Sequence, residues 1–569
     1  MHYNDGESDI DDKRFFLSPS GNTNPKAELE ATIDALLNET RFDDNSTACR
    51  FPARKAYLEK ELNIKNLPVV TCNEFDTVMQ RLDPTSTTLV FPSAHINSPA
   101  SMFGHTLLRI NSSFESKLLS YAVNYAADAD PKKENGVIFA LKGLFGGYFG
   151  NYSLLPYYEK LKEYRDGESR DVWEYDLNLS KEETLRMFRH IWEVNSTKSY
   201  YYFFTKNCSY NILWFIESAR PSIHLREHFT FHVIPLETVH AAKLENIITK
   251  KYYRPSKRTK LLKYEKLLSP NNLKKPRKIV EGELSIDSVL NNKKISLSQK
   301  QYIFEASVEF LEYSYKRNKM TKQEYLELFN RLSSARATLG INETLEFSTP
   351  PNPINSHKAL RIITGIGQKE DIQLAYLGLR FAYHDLEDST YGFLRGTQIE
   401  FLNLQFSYDE ENKFELEDAT IVSIVSLAQR SEFFDNISWR TKFGFDRNIY
   451  IDDKTNFLAT IGAGFSWGNE LGYIYIMADP FAYLHKNIKS GIGSSLGLII
   501  DKSKKFGTNI EFTSRIYENS NTQSLFNFSQ NFRISQNIEF KLKYNYIERE
   551  LETIKCDEQT IRGTLNFYF

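Results

Sequence analysis

Ile538-Glu-Phe-Lys-Leu-Lys-Tyr-Asn-Tyr546 sets Ile538, Phe540, Leu542, Tyr544 and Tyr546 against Glu539, Lys541, Lys543 and Asn545. Successive side chains of a strand point to opposite faces, so this alternation reads as a strand with one apolar and one charged face. Thr560-Ile-Arg-Gly-Thr-Leu-Asn-Phe-Tyr-Phe569 repeats it, with Ile561, Gly563, Leu565, Phe567 and Phe569 on one side. Upstream, Phe457, Ala459, Ile461, Ala463, Phe465 and Trp467 alternate with small or polar partners. After Thr349-Pro-Pro-Asn-Pro353 the region 357–569 divides into about twelve segments of the ~10-residue length of a membrane strand, with polar turns such as Asp452-Asp-Lys454. A soluble two-sheet sandwich, the alternative, has no use for so many wet inner faces. The pattern predicts a closed transmembrane antiparallel β-barrel of about twelve strands, Phe540 and its set facing lipid and Glu539, Lys541 and Lys543 facing the lumen.

Taken alone, the last ten residues also fit an edge strand of a soluble sheet. They resemble the final strand and C-terminal Phe signal of bacterial outer-membrane barrels, which implies recognition by the barrel-assembly machinery. The 14% aromatic content, with 41 Phe and 33 Tyr, suits the aromatic girdles of such a barrel. A net charge of −2 lacks the basic excess of a nucleic-acid binder. No apolar run reaches the roughly 18 residues of a transmembrane helix; the best stretch, Val137–Tyr152, contains Lys142 and is too short. Met1-His-Tyr-Asn-Asp-Gly-Glu7 is polar, so an export signal is expected to have been removed ahead of Met1.

The chain is expected to run as a disordered leader (1–24), an N-terminal helical segment (25–67), a mixed α+β domain (68–245), a basic linker (246–297), a helical hairpin (298–350) broken near Asn318, and the barrel (357–569). In the mixed domain, strand signals lie at Thr88 to Phe91, His105 to Ile110 and Leu118 to Tyr125. Helix signals lie at Lys181 to Val194 and Ser209 to Ala219. Cys49 and Cys72 flank a helical stretch and close a short loop, so an exported chain is expected to link them; two buried free thiols are the alternative. Cys556 falls in the polar last hairpin.

Cys208 is different. In Phe204-Thr-Lys-Asn-Cys-Ser-Tyr-Asn-Ile-Leu-Trp214, Asn207 can cap a helix and leave the thiol at its amino end. There the helix dipole and unpaired N–H groups lower a thiol's pKa and offer donors to an oxyanion. His105, in Pro99-Ala-Ser-Met-Phe-Gly-His-Thr-Leu-Leu-Arg-Ile110, opens a strand and can serve as the base of a Cys–His pair. An inert buried cysteine and a satisfied core histidine are the alternative. No CxxC pair or HExxH is present, and only His95 lies near His105 in sequence, so no metal or cofactor is expected.

A strand histidine followed by a cysteine at a helix start is similar to the circularly permuted papain-like fold of NlpC-type hydrolases and lecithin:retinol acyltransferase-like enzymes. More specifically, Cys49-Arg-Phe-Pro-Ala-Arg54, Phe91-Pro-Ser93, Asn97-Ser-Pro-Ala-Ser-Met-Phe-Gly-His-Thr-Leu-Leu-Arg109 and Lys206-Asn-Cys-Ser-Tyr210 resemble the bacterial Lnb-like lipoprotein N-acyltransferase family over about residues 25–245. The resemblance implies a permuted papain-like catalytic domain with Cys208 as nucleophile and His105 as base. It also implies phospholipid and lipoprotein substrates; the barrel is not part of that family's minimal enzyme, and its even strand number is what leads to the expectation of a catalytic domain on the periplasmic side of the outer membrane.

A third polar group should orient the histidine. Asn124, on the wetter face of Leu118 to Tyr125 with Ser120 and Ala122, is the first candidate, and Tyr121 on the other face is the second. Arg109 shares a strand face with His105 and could meet a phosphate or carboxylate, a surface salt bridge being the alternative. Gly143-Leu-Phe-Gly-Gly-Tyr-Phe-Gly150 lacks the Lys-Ser/Thr of a phosphate loop and reads as an apolar lid, a lipid-dipping surface, or packing under a loop. The same Cys–His pair also fits a peptidoglycan endopeptidase or amidase, or a lipid deacylase. A non-enzymatic barrel with a plug domain is the third class.

Overall fold

The structure, a computed structural model, describes residues 3–4, 6–63, 67–94, 103–114, 117–129, 142–143, 145–195, 197–229, 232–341, 346–411, 413–447, 455–484, 488–518, 520–551 and 554–569. The chain forms two compact units, Met1–Ser93 with Gly104–Ser256, and Ala94–Phe103 with Lys257–Phe569.

The first unit is α/β. Its longer helices are α1 (Pro25–Leu37), α2 (Pro52–Glu61), α3 (Asn73–Leu82), α4 (Lys181–Val194), α5 (Cys208–Ala219) and α6 (Pro235–Leu244). Its strands are β1 (Pro84–Pro92), β2 (Leu107–Ser112), β3 (Tyr121–Ala127), β4 (Tyr148–Pro156), β5 (Val172–Leu177), β6 (Lys198–Tyr201) and β7 (Ile248–Arg254). They make one seven-stranded antiparallel sheet in the order β6-β4-β3-β2-β1-β5-β7. β2 and β3 lie centrally and bury side chains on both faces, which brings the start of β2 and the middle of β3 together inside the fold.

Residues 6–24 are not the expected disordered leader. Ile10 and Phe15 are buried, and the Glu28 carboxylate accepts the N–H groups of Leu17 and Ser18 at 3.0 and 2.8 Å. Arg54 pairs with Glu28 at 2.5 Å and packs its guanidinium over the rings of Phe15 and Phe51. Few apolar residues suffice because Ile10 and Phe15 insert fully, offsetting the entropy of ordering their neighbours. Cys49 and Cys72 are disulfide-bonded, while Cys208 and Cys556 are free.

The expected linker 246–297 is also structured. Its start is β7, paired with β5, and α7 (Lys257–Leu267) follows. Its basic residues form ion pairs along amphipathic helices: Lys257 and Lys260 each reach Glu309 at 2.6 Å. α7 packs with α8 (Leu297–Lys316) and α9 (Lys322–Ala337) around Phe304, Phe310 and Leu311.

Twelve antiparallel strands, from Arg361–Lys369 to Ile554–Tyr568, close into a barrel when the first pairs with the last, Arg361 opposite Tyr568. Glu539 and Lys541 are only 1% and 2% exposed inside it, whereas Ile366 and Ile461 on the outer wall are 74% and 65% exposed. The segment after His384 folds inward, and Asp388 takes Arg361 at 2.7 Å and Lys541 at 3.1 Å. A lumen cavity of about 460 Å³ is lined by charged side chains including Arg440, Asp479 and Glu511. Among the described residues no helix is long and apolar enough to cross a membrane. The outward apolar belt assigns that crossing to the strands.

Candidate active site

α5 starts at Cys208 because Asn207 is extended and its Oδ1 accepts the N–H groups of Ser209 (3.0 Å) and Tyr210 (3.2 Å). Its Nδ2 donates to the carbonyls of Phe203 and Val233, fixing the turn that delivers the helix. Ile212, Leu213, Phe215 and Ile216 bury the helix in the core, so the Cys208 thiol, 3% exposed, sits at a rigid amino end. The Cys208 N–H donates to Tyr201 Oη at 3.2 Å.

His105 stands just before β2. Gly104 precedes it with φ +87°, and a Cβ there would lie 2.7 Å from the Phe91 ring, so only glycine fits this close approach. The His105 N–H donates to Pro92 O at 3.2 Å. Its ring Nε2 donates to Asn124 Oδ1 at 2.7 Å, leaving Nδ1 for the thiol, to which His105 is also hydrogen-bonded.

Burial alone would raise the thiol's pKa. The His105 charge and hydrogen bond, the Thr106 N–H and the Ser209 hydroxyl outweigh it and bring Cys208 down to about 6. For His105, burial favours the neutral ring, but the neighbouring thiolate and the Asn124 hydrogen bond prevail and raise its pKa above 6.5. Each group thus favours the charged form of the other, the thiolate of Cys208 beside the imidazolium of His105.

Residues 74–243 match the family model described as the Lnb N-terminal periplasmic domain. His105, Asn124, Tyr201 and Cys208 all lie inside this Lnb-matched segment. Three further family models, each described as a domain of unknown function, match residues 1–61, 251–347 and 350–562. No curated protein matches the chain. Among solved structures, the chain is similar to an OmpT loop L8 deletion mutant of Vibrio cholerae (6% identity, 37% of this chain and 97% of that chain, TM-score 0.21). An anion-selective porin from Comamonas acidovorans (7%, 37% and 98%, TM-score 0.22) and the NanC porin (9%, 37% and 100%, TM-score 0.25) are similar at the same level.

Two expected site residues of the Lnb-matched segment lie elsewhere. Arg109 is fully buried, pairing with Glu174 at 2.7 Å and donating to Thr88 and Asn111 at 3.0 and 2.6 Å. It is a core ion pair of the sheet, neither a substrate contact nor a surface salt bridge, because Glu174 from β5 points into the same layer. Tyr121 opens β3, three residues from Asn124 and on the opposite face, so it does not share that residue's place beside His105.

The described glycines of 143–150 serve packing: Gly143 and Gly146 lie under the rings of Phe203 and Tyr202, and Gly150 under Tyr125. Leu144, His95 and Asn97 to Met102 lie outside the described residues. Lys206 pairs with Asp9 at 2.8 Å, tying the N-terminal segment to the turn that leads into α5.

The sequence reading did not single out Tyr201, Thr106 or Ser209. The one available signal for Tyr201 was the aromatic run Tyr200-Tyr-Tyr-Phe-Phe204 just ahead of the Asn207–Cys208 cap. Among the described residues, His357, His384 and Asp388 of the barrel have ligand-type atoms close enough to hold a metal. Arg361, Arg380 and Lys541 already surround Asp388 with positive charge, which fills the role of a cation there.

Proposed function

We propose that this protein is a thiol acyltransferase of the outer membrane, with Cys208, His105 and Asn124 as its catalytic group. The observation that carries this reading is the line Cys208–His105–Asn124, with the thiol at a capped helix start and held ionised near neutral pH. The arrangement has the nucleophile, base and orienting amide of permuted papain-like enzymes. Cys208 attacks an acyl ester of a phospholipid, and His105 protonates the departing alcohol. His105 then takes a proton from the incoming amine as that amine attacks the thioester. The acceptor is the N-terminal amine of a lipoprotein, in keeping with the Lnb-type match. The barrel anchors the chain in the outer membrane, and the Lnb-type domain works in the periplasm.

The test uses purified full-length protein with phospholipid vesicles carrying a labelled acyl chain, with and without a diacylglyceryl-cysteinyl peptide. The expected result is a labelled thioester on Cys208 that passes its label to the peptide amine, both absent in Cys208→Ala. Release of free fatty acid without peptide acylation would make the protein a deacylase. Absence of any labelled thioester would remove lipids as donors.

A further inference from the structure

We propose that the Tyr201 hydroxyl is the second donor of the oxyanion site, partnering the Cys208 N–H; the inference rests on the acyl-transfer reading above.

An acyl-transfer intermediate concentrates negative charge on the former carbonyl oxygen, and stabilising it takes two donors aimed at one point. Of the first N–H groups of α5, those of Ser209 and Tyr210 are committed to Asn207 Oδ1. The Cys208 N–H remains, and it donates to Tyr201 Oη at 3.2 Å. An oxygen thus already occupies the place beside that N–H, held there by the protein itself. The oxyanion forms next to that hydroxyl, within reach of both the Cys208 N–H and the Tyr201 O–H.

The position is rigid. Tyr201 is the last residue of β6, and its ring stacks on Tyr125 at 5.6 Å and 19° and meets Phe203 edge-on at 6.1 Å. Tyr125 is itself fixed, donating its hydroxyl proton to Ser199 O at 3.3 Å. Its ring can come this close because residue 150 is glycine: a Cβ there would lie 2.2 Å from it. Burial, followed by the neighbouring Cys208 charge, holds the Tyr201 phenol well above its ordinary pKa, so it remains a donor at every working pH.

The step balances as follows. The thiolate sulfur forms a bond to the carbonyl carbon, and the C=O π pair moves onto oxygen. The Cys208 N–H shifts from Tyr201 Oη to that oxygen. The Tyr201 O–H, which is also hydrogen-bonded to the Cys208 side chain, is released as the thiolate's charge is spent in the new S–C bond and turns to the same oxygen. On collapse the alcohol departs with the proton of the His105 imidazolium, leaving a thioester.

Tyr201→Phe keeps the ring and its stacking and removes only the donor. The readout is the pre-steady-state burst with p-nitrophenyl butyrate, an activated ester that does not depend on the lipid or the acceptor. The expected burst rate is about 10²–10³-fold below wild type, with KM changed less than about threefold. Melting and the amount of alkylatable Cys208 should be unchanged. A burst within threefold of wild type would overturn the proposal.

A second probe, 3-fluorotyrosine placed at position 201 alone, keeps the fold and makes the hydroxyl more acidic. The burst rate should follow its acidity, and an unchanged rate would also count against the proposal. If the wild type bursts with the activated ester but forms no thioester from phospholipid vesicles, the lipid reading fails and the role of Tyr201 stands.

Discussion

His105 Nε2 and Asn124 Oδ1 lie 2.7 Å apart, joining the residues just ahead of β2 to the middle of β3. The pairing of Leu108 with Val123 puts position 124 opposite 107, diagonally across from 105, close enough for this bond. The amide oxygen accepts a hydrogen bond from Nε2–H and so fixes which ring nitrogen faces the thiol.

Asn124→Ala should therefore lose catalysis by misorienting His105 while leaving Cys208 in place. General acid–base catalysis contributes about 10²–10⁴-fold, so the loss in kcat should fall within that range. Asn124→Gln, which keeps the amide but displaces it, should lose less. Steady-state acylation rates beside iodoacetamide labelling of Cys208 would check both, and an alanine variant at full rate would remove Asn124 from the group.

Cys208 should ionise with a midpoint near 6, because its pKa is lowered chiefly by the His105 charge against the opposing effect of burial. Alkylation by iodoacetamide should rise with pH through that value. Acyl transfer should rise over the same range and fall again once the imidazolium, its pKa raised above 6.5, loses its proton. In His105→Ala the alkylation midpoint should move up, toward or beyond the ordinary thiol value of about 8.5. A midpoint that stays near 6 in that variant would contradict the pairing.

Arg109→Met should destabilise the first unit rather than alter substrate binding. Among the described residues it leaves Glu174, fully buried, with Arg254 and the Tyr157 hydroxyl as its side-chain partners. Breaking a buried pair costs about 3–5 kcal/mol. Denaturant unfolding would read the loss, with KM of the surviving folded protein unchanged.

Ile461, 65% exposed near the middle of its strand, should face hydrocarbon. Ile461→Arg should cost about 2–4 kcal/mol of barrel stability, as arginine does near the bilayer midplane. Gel-shift heat modifiability in detergent would measure it. An unaffected barrel would argue that this wall faces water.

The period-two alternation of 357–569 and the Asn207–Cys208 start of a helix were legible because both are local. A strand displays its faces every second residue, and a helix cap is written in adjacent positions. The sequence alone therefore determined a closed barrel of about twelve strands, its inner and outer faces and the place of the thiol, and it led to the expectation that Cys49 and Cys72 pair. It also suggested His105 and Asn124, though as candidates among others.

The choice between Asn124 and Tyr121 was made by strand register, which sets who lies across from His105 and is not encoded in either residue's neighbours. Arg109 read as available because a lone charge on a strand gives no sign of a partner 65 positions later; Glu174 takes it in the folded sheet. Tyr201 was hidden in an aromatic run until β6 turned its hydroxyl onto the Cys208 N–H. The leader and the basic linker looked unstructured because their few apolar residues and paired charges stabilise only against distant partners, Glu28 and Arg54 for one, Glu309 for the other. Local pattern sets the elements, and long-range pairing in the folded chain decides which side chains meet.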